Sequence, residues 1–463
     1  MQMVHIDDLK GCHVHFVGIG GISMSGLAEI LLKRGYTVSG SDLKDSHIIQ
    51  RLNEKGARIY IGHSPSNVEG AHLVVHTAAV KADNPEIQEA YKRSIPVIDR
   101  ATLLGQIMES YPYSIGVSGS HGKTTTTSML STILLHANLD PTILVGGELD
   151  TIGGNVRIGS SPYFITEACE YVESFLHFKP YIAIILNIDA DHLDYFRDIN
   201  HIYQAFSKFA QLVPQDGYVV GCADDPLVKK LLSEVKGNVI SYGINGPSDW
   251  QACDIYYKDL GTASFKAYYK GKYMGDISLA VPGKHNVYNA LASAAAAHVL
   301  GVPFEIIQDA LKTYRGTHRR LEFKGKMGEV TIIDDYAHHP TEIKATLETV
   351  KNYPHNRIWC VFQPHTYSRT KKLFNEFVQA FKQADLLIIT DIYAAREKDT
   401  GEVHSRNLAQ AISQAGQPCI YMQSFDEIAN YLKENASPGD IVITMGAGDV
   451  YRIGDMLVTS FPQ

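Results

Sequence analysis

Apolar strand-like runs alternate with helix-like runs along most of this 463-residue chain, which predicts a mixed α/β protein of three α/β domains in series. Three stretches carry the prediction. HVHFVGIG (13–20), TVSGSD (37–42) and AHLVVHTAA (71–79) read as strands, with MSGLAEILLKRG (24–35) as a helix stopped by Gly35. A second unit opens near residue 114, after the linker-like ESYPYS (109–114), and runs through the strands YFITEA (163–168) and YIAIILNI (181–188). At the end, EVTIIDDY, RIWCVFQP, DLLIITDIY, PCIYMQ and DIVITMGAGD are five apolar strand candidates separated by helix-length segments.

The helices follow from the same reading. TTTTSMLSTILLHAN follows a glycine loop, and its first threonines are placed to cap it. HIYQAFSKFAQLV (201–213) reads as another helix. From about residue 239 the texture changes. ISYGI, CDIYYKDL, ASFKAYYKG and KYMGDISLAVPG are short, partly alternating runs joined by turns, which predicts an antiparallel patch. GKHNVYNALASAAAAHVLG then opens a strongly helical run.

Composition excludes several functional classes. The net charge is −8, from 42 basic and 50 acidic residues with no run of like charge, which reads against a nucleic-acid or membrane surface. The six cysteines, at 12, 169, 222, 253, 360 and 419, form no C-x-x-C pair, against a zinc site or a disulfide framework. MQMVHIDDLKG carries two aspartates and no apolar run, unlike a secretion signal, and no stretch reaches the ~18 apolar residues of a membrane span. A cytoplasmic protein with reduced thiols is the expectation, and nothing in the sequence specifies an oligomeric state.

GSHGKTTTT (119–127) sits between a predicted strand and a predicted helix. The strict phosphate-loop pattern needs glycine where Val117 stands, so what remains is the shorter G-x-x-G-K-T. Gly119 and Gly122 permit close approach of backbone N–H groups to phosphate oxygens, Lys123 supplies a point charge, and the Thr124 hydroxyl can ligate Mg²⁺. The plainer reading is a glycine turn capped by threonine, with Lys123 solvated. Downstream, Glu167 ends one predicted strand and Asp191-His192 follows another, at the strand ends where ligands of an open α/β sheet collect. Carboxylate and hydroxyl oxygens suit Mg²⁺, whereas a histidine is a less usual ligand for so hard a cation and His192, taken alone, reads as a capping or core-edge histidine.

The first glycine cluster, VGIGGISMSG, has Gly18 and Gly20 of a dinucleotide fingerprint but Ser23 at its third position, with Asp42 ending the next strand. It suits NAD, or any ligand with a pyrophosphate and a ribose, such as a nucleotide sugar. His285 and Asn289, four apart at the start of a helix, either read a purine edge or cap that helix. THRRLE (317–322), DDYAHHP (334–340) and QPHTYSR (363–369) cluster arginines and histidines suited to anions or carboxylates. No Ser-His-Asp order, H-E-x-x-H or nucleophilic cysteine signature appears, so catalysis by positioning and electrostatic stabilisation of phosphoryl transfer is expected.

Together, HFVGIGGISMSGLAEIL, SGSHGKTTTT, EACEYVESFL, NIDADHLDYF, GKHNVYNALAS, YRGTHRRLE, DDYAHHPTEI and FQPHTYSRT resemble, in order, the Mur ligase family, the ATP-dependent amide ligases of peptidoglycan precursor synthesis. The resemblance covers nearly the whole chain. It implies a Rossmann-like UDP-sugar domain (1–110), a central ATP-binding domain of P-loop ATPase type with the antiparallel patch (111–320), and a C-terminal Rossmann-like domain (321–463). It implies that Gly18, Gly20, Gly21, Ser23 and Asp42 face the UDP-sugar. Gly119, Ser120, His121, Gly122, Lys123, Thr124 and Thr125, with His285, Asn289 and Asp335, would face ATP. Thr124, Glu167 and His192 would hold Mg²⁺. Lys123, His192, Arg320 and His338 would serve catalysis, and Tyr336, His365 and Arg369 the amino-acid or carboxylate side.

Two positions depart from the family pattern: Ser23 replaces a glycine common in the first loop, and Cys169 stands where relatives have an acid. The first-domain segment favours the branch that joins L-alanine to the lactyl carboxylate of UDP-N-acetylmuramic acid, through an acyl phosphate. The alternatives are the family's tripeptide-recycling branch, a nicotinamide-dependent dehydrogenase using the Gly18 loop, and a nucleotide-responsive binding protein.

Overall fold

The computed structural model describes residues 4–193, 195–258, 261–395 and 397–459. The chain forms two compact units, Met1–Ile188 with Ile202–Ser241 and Ala292–Val302, and Asp189–His201 with Tyr242–Leu291 and Pro303–Gln463.

The first unit opens with a five-stranded parallel sheet. Its strands stand in the order Arg58–Ile61, Thr37–Asp42, His13–Val17, Leu73–His76 and Val97–Asp99. The chain order therefore reverses beside His13–Val17, and the glycine loop that follows this strand sits at the switch point where such sheets bind ligands. The expected strand at 13–20 ends at Val17 because Gly18 takes φ +85° and turns the chain; a Cβ there would come 2.8 Å from Thr77 Cγ2.

The same unit holds the central sheet, ordered Gly154–Arg157, Thr142–Leu149, Tyr163–Glu167, Tyr113–Ser118, Ile182–Ile185, Tyr218–Cys222 and Asn238–Gly243. Tyr113–Ser118 runs parallel to both of its neighbours. Its Ile115 and Val117 are fully buried, as expected for a parallel strand covered on both faces. The helix Lys123–His136 packs Met129, Leu130, Ile133 and Leu134 into this core.

In the second unit, Trp250–Tyr257, Thr262–Tyr269 and Lys272–Pro282 form the expected antiparallel patch. The C-terminal sheet has six strands where five were expected: Glu322–Met327, Val330–Asp335, Ile441–Met445, Ile358–Phe362, Leu386–Ile389 and Cys419–Tyr421. The extra strand, EFKGKM, lies antiparallel on the edge, and its alternating charges and glycine hide it from a search for apolar runs. The parallel strands are covered on both faces. Ile333, Cys360 and Phe362 enter one core, while Ile332, Trp359 and Val361 enter the other. Each such side chain contributes about 1.5–3 kcal/mol of apolar burial.

All six cysteines are free thiols. Among the described residues no helix is long and apolar enough to cross a membrane.

Candidate active site

In the first unit, the strand Tyr113–Ser118 delivers the glycine loop to the helix Lys123–His136. Gly119 takes φ +141° so close to the next strand that a Cβ would meet Leu186 Cβ at 2.8 Å. Gly122, at φ +87°, is the N-cap, and no side chain caps the helix. The expected threonine cap is therefore absent: Thr126 and Thr127 are buried, and the first intrahelical bond runs from Thr126 N to Gly122 O at 3.0 Å. The N–H groups of Lys123, Thr124 and Thr125 thus lie in the first turn, ahead of the helical ladder and at the positive end of its dipole.

Two loop residues assigned to ATP have their backbone engaged elsewhere. Ser120 N donates to Asn187 O at 3.2 Å, and His121 N donates to Asn187 Oδ1 at 2.9 Å. Asn187 Nδ2 in turn donates to His121 O at 3.0 Å. Asn187 was not singled out in the sequence; its signal was only its place just past an apolar strand.

Lys123 Nζ donates to Gly119 O at 2.5 Å, to Ser120 O at 3.2 Å, and to both oxygens of Glu170 at 3.1 and 2.9 Å. Burial alone would lower its pKa, but the charges of Glu170 and Glu167 hold it above the ordinary lysine range. The solvated-lysine reading of Lys123 is corrected by this geometry. Burial, with Glu170 beside it, pushes the Cys169 thiol up, which disfavours a reactive thiolate. Glu167 closes the strand Tyr163–Glu167, and its Oε1 accepts from Gly146 N at 2.6 Å. A Cβ on Gly146 would lie 2.8 Å from that oxygen, so a larger residue there would displace the Glu167 carboxylate.

The first-domain loop is also an open helix start. Gly21 caps Ile22–Lys33 with no side-chain bond. Gly18 N and Ile19 N donate to Ser41 O, at 2.8 and 3.0 Å. Asp42, expected on a ribose, uses its carboxylate within the loop, accepting from Gly20 N at 2.9 Å and Leu43 N at 2.8 Å. The Ser23 hydroxyl accepts from Arg100 Nη1 at 2.9 Å. Arg100 thereby brings to this helix start a positive charge that the sequence reading missed.

The second unit gathers the remaining candidates. Arg369 is ion-paired with Asp191, and its Nη1 donates to His365 Nδ1 at 3.2 Å. The His365 ring lies 5.6 Å from that of His338, which lies 5.6 Å from Tyr336. The Arg319 and Arg320 guanidinium groups stand 4.9 and 5.1 Å from the Tyr336 ring centre. Burial, outweighing the nearby Glu342, brings His338 down to about 3; burial and Arg369 bring His365 to about 4. Both imidazoles are therefore neutral near pH 7. Burial would raise Asp191, but His192, Arg369 and His338 hold it well below the carboxylate range. Asp335 goes the other way, raised by burial to about 6 against the pull of Arg320, while it accepts from Leu321 N and Ala337 N.

His285 and Asn289 lie inside the helix Lys284–Val299 and so do not cap it. Burial, reinforced by Arg320, lowers His285 to about 4. Asn289 donates to Asn286 Oδ1 at 3.0 Å, and Asn286 donates to Pro282 O at 2.6 Å, so the buried Asn286 ties this motif to the preceding strand. The backbone N–H of His192, a residue with φ +51°, donates to Asp191 Oδ1 at 2.7 Å. Glu167 belongs to the first unit and His192 to the second.

Three family models match the chain in sequence: the Mur ligase family catalytic domain over residues 13–112, the Mur ligase middle domain over 117–297, and the Mur ligase glutamate ligase domain over 319–448. The chain belongs to the Mur ligase family. It is 57% identical over 452 residues to the UDP-N-acetylmuramate–L-alanine ligase of Caldanaerobacter subterraneus subsp. tengcongensis, covering 98% of each chain. It is 58% identical over 458 residues to the ligase of the same name from Acetivibrio thermocellus, covering 99% of this chain and 98% of the relative. The crystal structure of the UDP-N-acetylmuramate–alanine ligase of Thermotoga maritima, at 30% identity, matches 97% of this chain and 98% of that one with a TM-score of 0.82. A murein peptide ligase from Psychrobacter arcticus matches at 26% identity, 97% and 98% coverage, and a TM-score of 0.73. The three-part α/β architecture read from the Mur ligase sequence motifs is borne out. Membership sets aside the dehydrogenase reading of the Gly18 loop, since the whole chain is accounted for by a ligase family.

Proposed function

We propose that this chain joins L-alanine to the lactyl carboxylate of UDP-N-acetylmuramic acid at the expense of ATP, in peptidoglycan precursor synthesis in the cytoplasm. The observation that carries this reading is 57–58% identity, over nearly the full length of both chains, to ligases named for that reaction. Residues 1–110 take the UDP-sugar, 111–320 take ATP, and 321–463 take the amino acid.

The reaction needs a carboxylate to attack a triphosphate, two groups that repel. Lys123 and the N–H groups of Lys123, Thr124 and Thr125 offset that repulsion at the phosphates. The carboxylate oxygen displaces ADP from the γ-phosphorus, leaving an acyl phosphate. The amine of alanine then attacks the acyl carbon, and the tetrahedral adduct expels inorganic phosphate. Arg320 and Arg369 are suited to hold the carboxylates, and neutral His338, too weak a base to take the proton itself, to accept a hydrogen bond from the attacking amine. Thr124 and Glu167 offer oxygen donors that fit Mg²⁺, with Gly146 N–H orienting Glu167; the ion would neutralise phosphate charge. The Gly18–Ser23 helix start, with Arg100, is suited to the UDP pyrophosphate.

The test is phosphate release from ATP and Mg²⁺ with UDP-N-acetylmuramic acid, across a panel of amino acids and the stem tripeptide. Release that requires both the UDP-sugar and L-alanine is expected. Release with the tripeptide alone would move the chain to recycling, and no release with any pair would reject ligase activity.

A further inference from the structure

We propose that Glu170 is a positioning residue for the nucleotide loop: its carboxylate holds the Lys123 ammonium against the carbonyls of Gly119 and Ser120, in register for the phosphates of ATP. The proposal rests on the reading of GSHGKTTTT as the ATP site.

Glu170 is 2% exposed and presents both oxygens to Lys123 Nζ, at 3.1 and 2.9 Å. A lysine side chain has four rotatable bonds and many conformers, so fixing its ammonium takes acceptors from more than one direction. The loop supplies two carbonyls from one side, and Glu170 supplies the carboxylate from the chain after Glu167. That chain is built to stay put. Val172 and Glu173, just past Glu170, both take left-handed backbone conformations, at φ 50° and 54°, rare for any side chain and rarer for a β-branched one. Glu173 N donates to Glu170 O at 2.9 Å and Phe175 N to Cys169 O at 3.1 Å. Phe175 is fully buried and stacks on Phe209 at 4.6 Å. Backbone held against its local preference, next to a buried charge aimed at the site, is the form that preorganised functional groups take.

The carboxylate also has a cost. A negative charge beside the phosphate site opposes a triphosphate, so Glu170 trades nucleotide affinity for placement of the lysine.

The test is a pair of substitutions in two backgrounds. Glu170→Gln keeps the size of the side chain and removes its charge. By calorimetry this variant is expected to bind ATP and ADP at least as tightly as the parent, with AMP unchanged, because Lys123 serves the outer phosphates. Turnover is expected to fall on the order of 10- to 100-fold, so that kcat and the affinity for ATP move apart. In a Lys123→Ala background the same substitution is expected to change neither quantity. Equal effects with and without Lys123, or equal losses for ATP and AMP that track a loss of folded protein, overturn the proposal. Should the glutamine variant fail to fold, Glu170→Asp, which withdraws the carboxylate by one methylene, is expected to lower kcat in smaller measure. Parent-like turnover in Glu170→Asp overturns the proposal. Nucleotide calorimetry needs neither sugar nor amino acid. A parent protein silent in phosphate release would therefore count against the ligase reading, while the Glu170–Lys123 coupling is still read from binding.

Discussion

Arg369 reaches Asp191 with two nitrogens, Nε at 3.3 Å and Nη2 at 2.9 Å, and both land on the same oxygen, Oδ1. The other oxygen, Oδ2, stands 3.8 Å from His192 Nε2. Both side chains of the pair are largely buried, at 10% and 7% exposure, so neither charge can fall back on water. Arg369→Ala is therefore expected to leave the buried carboxylate without its guanidinium partner and to destabilise the protein by about 3–5 kcal/mol. Urea denaturation at neutral pH reads this directly. A shift below about 1 kcal/mol would mean that the pair behaves as a surface ion pair does.

Asn187 clamps the loop through both ends of its amide, accepting from His121 N and donating to His121 O. Asn187→Ala removes both bonds and leaves the Ser120 N to Asn187 O bond in place. The expected loss is about 1–3 kcal/mol, concentrated in the loop. The KM for ATP should rise more than the global unfolding midpoint falls, and an unchanged KM would remove Asn187 from loop positioning.

Lys123→Ala removes the ammonium from the phosphate site and leaves Glu170 without that partner. Turnover is expected to fall on the order of 10²–10³-fold or more, as for other losses of a preorganised electrostatic group. The circular dichroism spectrum should match the parent's. Near-normal turnover would take the loop out of the mechanism.

The sequence made the motifs legible because each rests on local constraints: glycines at a strand end, a lysine and threonine at a helix start, a carboxylate at the close of an apolar run. Their partners were harder to read. Asn187 is 66 residues from His121, and Arg100 is 77 residues from Ser23. Nothing in either local pattern announces these pairings, which follow from strand order. Asp42 shows the same limit. Its position matches that of a ribose-binding acid, and its carboxylate also accepts from Gly20 N and Leu43 N, bonds that the local pattern does not announce. The edge strand Glu322–Met327 escaped because solvent-facing edges need no apolar run.

Glu86 gives the first domain an acid-sensitive joint. It is fully buried, accepting from Ser41 Oγ at 2.6 Å and Asn67 Nδ2 at 2.5 Å, beside His63 at 3.1 Å, with His15 Nε2 at 3.8 Å. Burial would raise its pKa, but His15, Ser41 and Asn67 outweigh burial and bring it down to about 2 from 4.5. A depressed folded value means that the stabilisation is complete above about pH 4.5 and is lost as pH falls toward 2. The amount at stake is on the order of 3 kcal/mol. Glu86→Gln should lower the melting temperature at pH 7 and flatten its decline between pH 4.5 and 2. A variant whose acid decline matches the parent's would place the titration elsewhere.

Selection of the amino acid is the least constrained step of the proposed reaction. On the proposed reading, Arg320 and Arg369 grip the carboxylate that every α-amino acid shares, and His338 meets the shared amine. What remains to separate alanine from glycine is one methyl group. In an apolar contact that methyl is worth about 1–3 kcal/mol, or roughly 10–200-fold in kcat/KM. Serine adds a hydroxyl to the same methyl, and a pocket fitted to the methyl rejects it by about 10²-fold at most. Purified enzyme should therefore release phosphate with glycine and serine at measurable rates, each below the rate with alanine. Complete refusal of both, in competition assays at matched concentrations, would require a device beyond a methyl-sized contact, such as closure that proceeds only with alanine bound.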